Sequence, residues 1–169
     1  MFKRLRSTKG ISLMEILSTM VIIGIVSSMA VPRFKIAMER ISYQSSDREM
    51  LSLLRLARSL AISEKAQYGI YFEDTTPRKY RLFKDVSNPS AFTYEDSDST
   101  IKIDTLSGDF AMLYTDITGN SVVFQPNGSA GFIGGGNITS MAMSEDVIAI
   151  FVHNILASTG RVKSYSYIY

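Results

Sequence analysis

An apolar segment near the start of the chain constrains the fold more than any other feature. The run from Ile11 to Val31 is close to the length of about 20 residues that a helix needs to cross a bilayer. Four cations and no acid lie among the first ten residues: Lys3, Arg4, Arg6 and Lys9. Because a positively charged flank stays on the cytoplasmic side of a membrane, we predict a cytoplasmic leader, one membrane-spanning helix and a domain beyond it.

One acid, Glu15, lies inside the apolar run. An ionised side chain at the centre of a membrane helix costs about 2.5 to 3.5 kcal/mol, and less near the ends. Two explanations stay open. The carboxylate reaches back to the headgroup region, or it pairs with the free amine that cleavage after Gly10 would create on Ile11 of the same or a neighbouring chain. Such a pair would offset part of its desolvation and fix the axial register of adjacent subunits.

A second cleavage pattern overlaps this segment. Ser28-Met29-Ala30 has the small-x-small pattern of signal peptidase I, which would release a soluble β domain beginning at Val31. The apolar run is longer than the usual h-region of about 7 to 15 residues and contains an acid, so the anchored form is favoured. The mass of the mature N-terminus distinguishes the two.

The start of the chain resembles the prepilin signal of type IV pilins and type II secretion pseudopilins. The resemblance rests on Gly10, on Ile11 to Leu17 with Glu15 at the fifth place after the cut, and on Pro32 at the twenty-second. It implies that a prepilin peptidase cuts after Gly10 and methylates Ile11. It also implies that Glu15 guides docking among other pilins or pseudopilins in a helical filament, which an assembly platform builds at the bacterial inner membrane. Ile11 stands where the family usually has phenylalanine or methionine.

Beyond the leader, residues 1–10, we predict three further regions: an assembly helix over 11–32, an amphipathic continuation over 33–65 and a β domain over 66–169. Pro32 removes one backbone hydrogen bond and predicts a kink, after which the helix resumes. Apolar residues then recur at three- and four-residue spacing, which predicts a stripe that packs on a sheet. They are Met50, Leu53, Leu54, Ala57, Leu60 and Ala61. The neighbouring Arg48, Arg55 and Arg58 are predicted to form a solvated face.

After Glu64 the apolar period becomes two, which predicts strands over 68–72, 80–82, 100–104, 110–116, 121–125, 147–153 and 161–167. Turns are expected at 75–78, 118–120, 126–128 and 134–136, and a surface loop over 85–99. Short strands with turn signals favour an antiparallel sheet or a pair of sheets. The predicted fold class is therefore α+β and pilin-like: a long N-terminal helix packed on antiparallel β-structure. Since the chain has no cysteine, its core must stabilise it without disulfides.

Three short segments resemble those of the FimT and GspH minor-pilin class: Leu56 to Ile62, Val123 to Gly128 and Thr159 to Val162. The resemblance implies a minor pilin or pseudopilin that helps to initiate the filament or lies at its tip. The lack of cysteine departs from many major pilins, whose C-terminal loop is closed by a disulfide.

The sequence offers little for catalysis. His153 is the one histidine, and it lies on a predicted strand, where we expect it to be packed or solvated. The sequence contains no cysteine nucleophile, GxSxG elbow or P-loop. We therefore expect no enzyme, no cofactor and no metal site. Glu95, Asp96 and Asp98 could supply oxygens to Ca²⁺, but they lack the spacing of a known calcium loop, so a solvated loop is favoured.

The C-terminal segment leaves DNA binding open. Arg161 and Lys163 alternate with tyrosines at 165, 167 and 169, and some relatives in this class capture DNA through a basic C-terminal region. The favoured interpretation is a final strand whose tyrosines pack while the two cations face water. The net charge also argues against a generally basic, DNA-binding surface. Without the four cations of the leader, the chain has 14 basic and 16 acidic residues, and its formal charge changes from +2 to −2.

Overall fold

The computed structural model describes residues 10–73, 75, 78–106 and 110–169 of the 169-residue chain. One long helix, α1, comes first, and strands follow to the end of the described chain. The helix spans Leu13–Glu64. The strands are β1 Tyr68–Glu73, β2 Lys79–Lys84, β3 Ser99–Thr105, β4 Phe110–Ile117, β5 Ser121–Phe124, β6 Ala130–Gly131, β7 Gly134–Met143, β8 Ile148–Leu156 and β9 Arg161–Ile168. A short 3-10 turn, Thr118–Asn120, joins β4 to β5.

Helix α1 runs through Pro32 without interruption, as predicted. The kink at Pro32 stays a prediction. The chain divides into two compact units, one that ends at Met38 and one that spans Glu39–Tyr169. The part of α1 before Glu39 contains a window with a mean hydropathy of 1.9, none of it buried. By length and composition this helix could cross a membrane.

The part of α1 in the second unit is amphipathic. Its buried residues follow the helical period: Tyr43, Ser46, Asp47, Met50, Leu53, Leu54, Ala57 and Ala61. The predicted stripe is confirmed except at Leu60, which is half-buried. Burial of such a stripe supplies most of the stability of a helix in a folded protein.

Two antiparallel sheets form the rest of the second unit. The first has the order β3-β2-β1-β5-β6 and the second the order β4-β7-β8-β9. The helix meets the second sheet through Tyr43, whose ring packs edge-on against Phe110 of β4 with centroids 5.9 Å apart. A long helix on antiparallel sheets is an α+β arrangement, so the predicted fold class is confirmed.

The predicted turn at 134–136 is wrong, because these glycines begin β7. Gly134 and Gly136 have φ values of +130° and +75°, which a side chain would strain. A Cβ at Gly134 would also overlap the backbone of Asp116, at the point where the register between β4 and β7 shifts. Each of the seven predicted strands agrees with an observed strand to within three residues at both ends. Thr76 and Pro77, in the turn predicted over 75–78, lie outside the described residues.

Candidate functional site

The start of α1 brings together the residues predicted for processing and docking. Gly10 and Ile11 precede the helix and are exposed, and the Ser12 side chain accepts a hydrogen bond from the backbone N–H of Met14 at 3.3 Å. Ser12 thereby caps the helix, and Glu15 lies in its first turn, where an acid interacts favourably with the helix dipole. The peptide bond between Gly10 and Ile11 therefore lies in exposed chain directly before the helix.

No contact with the described residues requires glycine at position 10. A Cβ built there meets no atom of these residues within 4 Å. Likewise, the Glu15 carboxylate has no hydrogen bond or ion pair with any residue that the structure describes. The described residues therefore give no steric reason for glycine at position 10 and no side-chain partner for the Glu15 carboxylate.

The acidic loop is organised around Asp98, and its interpretation as a solvated loop is wrong for this residue. Asp98 is 7% exposed, and its carboxylate accepts hydrogen bonds from the N–H of Val86, Ser87 and Glu95 at 2.9 to 3.1 Å. The Ser87 hydroxyl donates a further one at 2.7 Å. Burial opposes ionisation, but these hydrogen bonds outweigh it and lower the pKa of Asp98. Both oxygens are thus occupied, and no metal-binding group of three His, Cys, Asp or Glu occurs among the described residues.

His153 is fully buried on β8, where its Nε2 lies 2.8 Å from Oδ1 of Asp47 on α1. The pair joins the helix to the second sheet, and its burial keeps any substrate away from the imidazole. Sequence reasoning missed this contact. The signal was present, since Asp47 falls on the apolar stripe between Tyr43 and Met50, and an acid on a buried stripe needs a partner.

Arg161 and Lys163 lie on β9, which is an edge strand, and both are exposed. The tyrosines do not pack on the opposite face as expected. Because side chains alternate along a strand, the odd-numbered tyrosines share the face of the two cations. Tyr165 and Tyr167 are each 49% exposed. This corrects the favoured sequence interpretation and leaves a basic and aromatic face open.

The three segments that carry the minor-pilin resemblance meet at one corner. Arg58 of α1 donates from Nε to the backbone oxygen of Gly128 at 3.0 Å, although 70 residues separate them. Gly160, which has a φ of +61°, lies against both: a Cβ there would overlap the Gly128 oxygen and lie 3.1 Å from Arg58 Nε. Arg58 is therefore half-buried and structural, whereas Arg48 and Arg55 are solvated as predicted.

Comparison with known proteins identifies the family. The family model for type II transport protein GspH matches residues 48–154, more than half of the chain. No curated protein matches significantly. Among solved structures, the type IV minor pilin FimU of Pseudomonas aeruginosa is similar to this chain, with 17% sequence identity and a TM-score of 0.48. The match covers 75% of this chain and 90% of the FimU chain. The chain belongs to the GspH family of type II transport proteins.

Proposed function

We propose that this chain is a minor pseudopilin or minor pilin, a structural subunit of a helical filament and not an enzyme. The observation that carries the proposal is the exposure of the apolar helix. Every side chain from Gly10 to Lys35 is exposed, although most of those up to Val31 are apolar. Soluble proteins rarely expose apolar surface on this scale, so it calls for lipid before assembly and sibling helices afterwards.

In this proposal the chain enters the inner membrane with residues 1–10 in the cytoplasm and the second unit in the periplasm or outside. Prepilin peptidase cuts the exposed bond after Gly10 and methylates Ile11. The open space at Gly10 supports a recognition role, since the described residues leave room for a side chain there. Assembly then replaces lipid contacts with helix contacts, at the filament start or tip, and the energy comes from the assembly platform.

Glu15 has the role of setting register. In the apolar interior its carboxylate pairs with the new amine of Ile11 on a neighbouring subunit, since an unpaired charge there would carry the full cost of desolvation. The lack of any partner for Glu15 among the described residues supports an intermolecular one.

The mass of the mature chain tests this proposal. The full chain is expressed with its native peptidase and assembly proteins, extracted from membranes and analysed intact. We expect a mature chain that begins at Ile11 and carries one methyl group, and an uncut chain when Gly10→Lys replaces the glycine. Gly24→Ala, an equally open position within the helix, is the matched control and should be cut normally. A start at Val31 would instead support release of a soluble β domain.

The open face of β9 favours a second candidate function, capture of DNA. Arg161 and Lys163 can neutralise phosphates, and the half-exposed tyrosines on the same face can stack on bases. Filter binding of the detergent-solubilised chain to single-stranded and duplex DNA at low salt tests it. DNA capture predicts retention that Arg161→Ala with Lys163→Ala removes and that Arg48→Ala, on the exposed helix face, leaves unchanged. No retention at low salt would refute it.

A further inference from the structure

The corner where the resemblance segments meet opens into a cleft of about 480 Å³ between α1 and the start of β9. Arg55, Arg58 and Ser59 of α1 line this arginine cleft together with Arg161 and Val162 of β9. The described residues that line it include no acid. Because a guanidinium presents a planar fork of donors that matches the two oxygens of a carboxylate, the cleft suits an oxyanion.

The described part of the chain does not supply that anion. Arg55 and Arg58 have no acid three or four positions away on the helix, where an ion pair would form. None of the three arginines forms an ion pair with a described residue, and Arg58 uses its Nε on the Gly128 oxygen. The Ser59 hydroxyl has no hydrogen bond to a described residue either, whereas that of Ser52 donates to a carbonyl of its own helix at 2.8 Å. The cleft therefore holds donors that await an external acceptor.

The free edge of β9 borders the same cleft. Ile148 and Tyr169 exchange backbone hydrogen bonds at 2.9 and 3.3 Å, and eight residue pairs between β8 and β9 continue from there without a shift of register. Because bonded and unbonded pairs alternate along an antiparallel ladder, the odd-numbered residues of β9 bond to β8 and the backbone groups of the even-numbered residues point away from it. These are Val162, Ser164, Ser166 and Ile168. Since β9 is the last strand of its sheet, no described strand pairs with them.

An unpaired strand edge beside a cationic cleft favours an extended acidic peptide. The edge offers N–H donors and C=O acceptors, and a second peptide backbone can pair with both. A phosphodiester backbone carries acceptors and no donors, so it would leave the carbonyls of β9 unpaired. The edge is also regular, because β9 contains no proline and pairs with β8 without a bulge. Its cations, Arg161 and Lys163, repel a second copy of the same edge and attract an acidic strand.

We propose that the arginine cleft and the free edge of β9 together bind an extended acidic segment of a different filament subunit. The backbone of that segment adds to β9 as a fifth strand of the sheet, and the carboxylate of one Asp or Glu side chain binds Arg55 and Arg161 in the cleft. The inference rests on the proposed filament function and deepens it by naming the kind of segment that the partner presents. A contact with a different subunit suits a minor subunit, which needs no second copy of itself beside it.

Photocrosslinking in assembled filaments tests this contact. The full chain, with benzoylphenylalanine in place of the exposed Ser164, is expressed with its peptidase, its assembly proteins and the other subunits, and the irradiated filaments are analysed by mass spectrometry. We expect a cross-link to a segment of another subunit that contains an Asp or a Glu. The same group in place of Ser99, an exposed residue of β3, is the control and should not give this product.

Two variants test the charge and the backbone separately. Arg55→Glu should lower the cross-link yield severalfold, and reversal of the mapped partner acid to arginine should restore it. Arg48→Glu, on the exposed face of the same helix, should leave the yield unchanged. Ser166→Pro removes one outward N–H while the bonds to β8 stay in place, so it should also lower the yield severalfold, whereas Ser166→Ala should not.

Three results would overturn the inference: no cross-link from copies that do enter filaments, a cross-link to a second copy of this chain, or a yield that ignores either Arg55→Glu or Ser166→Pro. Binding of DNA that Arg55→Ala abolishes and Ser166→Pro preserves would assign the cleft to phosphate and also overturn it. Recovery of the chain in sheared filaments is measured in parallel. If no copy enters filaments, the filament function itself fails, which is distinct from incorporation without the cross-link.

Discussion

The two parts of helix α1 have the same backbone conformation but different surroundings. Between Leu13 and Met38 no side chain is buried, although the sequence is apolar over much of that length. Between Glu39 and Glu64 a polar sequence carries one buried stripe. The comparison shows that one helix can be built for two environments. The second part packs against the sheets of its own chain, whereas the first part is exposed, and in the proposed function lipid and sibling helices cover it.

The largest effect should come from a cavity in the buried stripe of the second part of α1. Leu54 is fully buried, and Leu54→Ala should lower the free energy of unfolding by about 2 to 5 kcal/mol. Chemical denaturation of the full chain in detergent measures the loss. Leu56→Ala, at a residue 44% exposed, should cost far less, and Ile22→Ala in the first part should leave unfolding of the second unit unchanged. Sensitivity at Ile22 would contradict the separation of the two parts.

Separating the buried pair that joins the second part of α1 to the second sheet should cost less. Asp47→Ala leaves the buried His153 without its neighbouring carboxylate, and a buried polar group without a partner costs about 1 to 3 kcal/mol. The same denaturation experiment measures the loss. Glu49→Ala, two residues along on the exposed side, is the control; an equal loss there would show that the pair is unimportant.

A charge in the first part should act on the membrane and not on the fold. Ile22→Lys places a cation near the middle of the apolar helix, at an insertion cost of about 2.5 to 3.5 kcal/mol. We expect loss of membrane-integrated protein in a carbonate-extraction assay. Ser52→Lys, on the exposed face of the second part, should integrate normally, and equal loss there would contradict the comparison.

The smallest effect concerns acid stability of the second unit. Because hydrogen bonding lowers the pKa of Asp98, its ionised form stabilises the fold above the ordinary aspartate pKa of about 3.9, and this contribution is lost as pH falls through the lowered value. Unfolding measured between pH 7 and pH 2 should show a shallower acid-side fall in Asp98→Asn than in the original chain. An unchanged slope would mean that Asp98 does not contribute.

Sequence reasoning succeeded where the spacing of apolar residues repeats within one helix or strand. The helical stripe and most strands follow from spacing, because each side chain's burial is set by its position on a helix or strand. Strand β7 was missed since its buried face combines Ile138 with Ser140 and Ala142, so polarity does not alternate, and glycines at its start suggest a turn. Only the pairing of this segment with β4 and β8 shows that it is a strand.

The candidate functional residues show the same contrast between local signals and contacts that are distant in sequence. Gly10 and Glu15 are readable because they stand out from their local surroundings, and their roles remain predictions. The structural role of Arg58 was not readable, since Arg58 looks like part of a solvated helix face until the chain brings Gly128 and Gly160 beside it. Contacts between residues far apart in sequence leave no periodic trace.

The account depends most on the claim that Glu15 docks the exposed apolar helix against a neighbouring subunit. The direct measurement is the fraction of mature chain recovered in sheared filaments, with Glu15→Gln compared with Glu15→Asp, which keeps the charge. We predict that both variants insert and are cut after Gly10, and that only Glu15→Gln is depleted from filaments. Incorporation of Glu15→Gln at the level of the original chain would contradict the account.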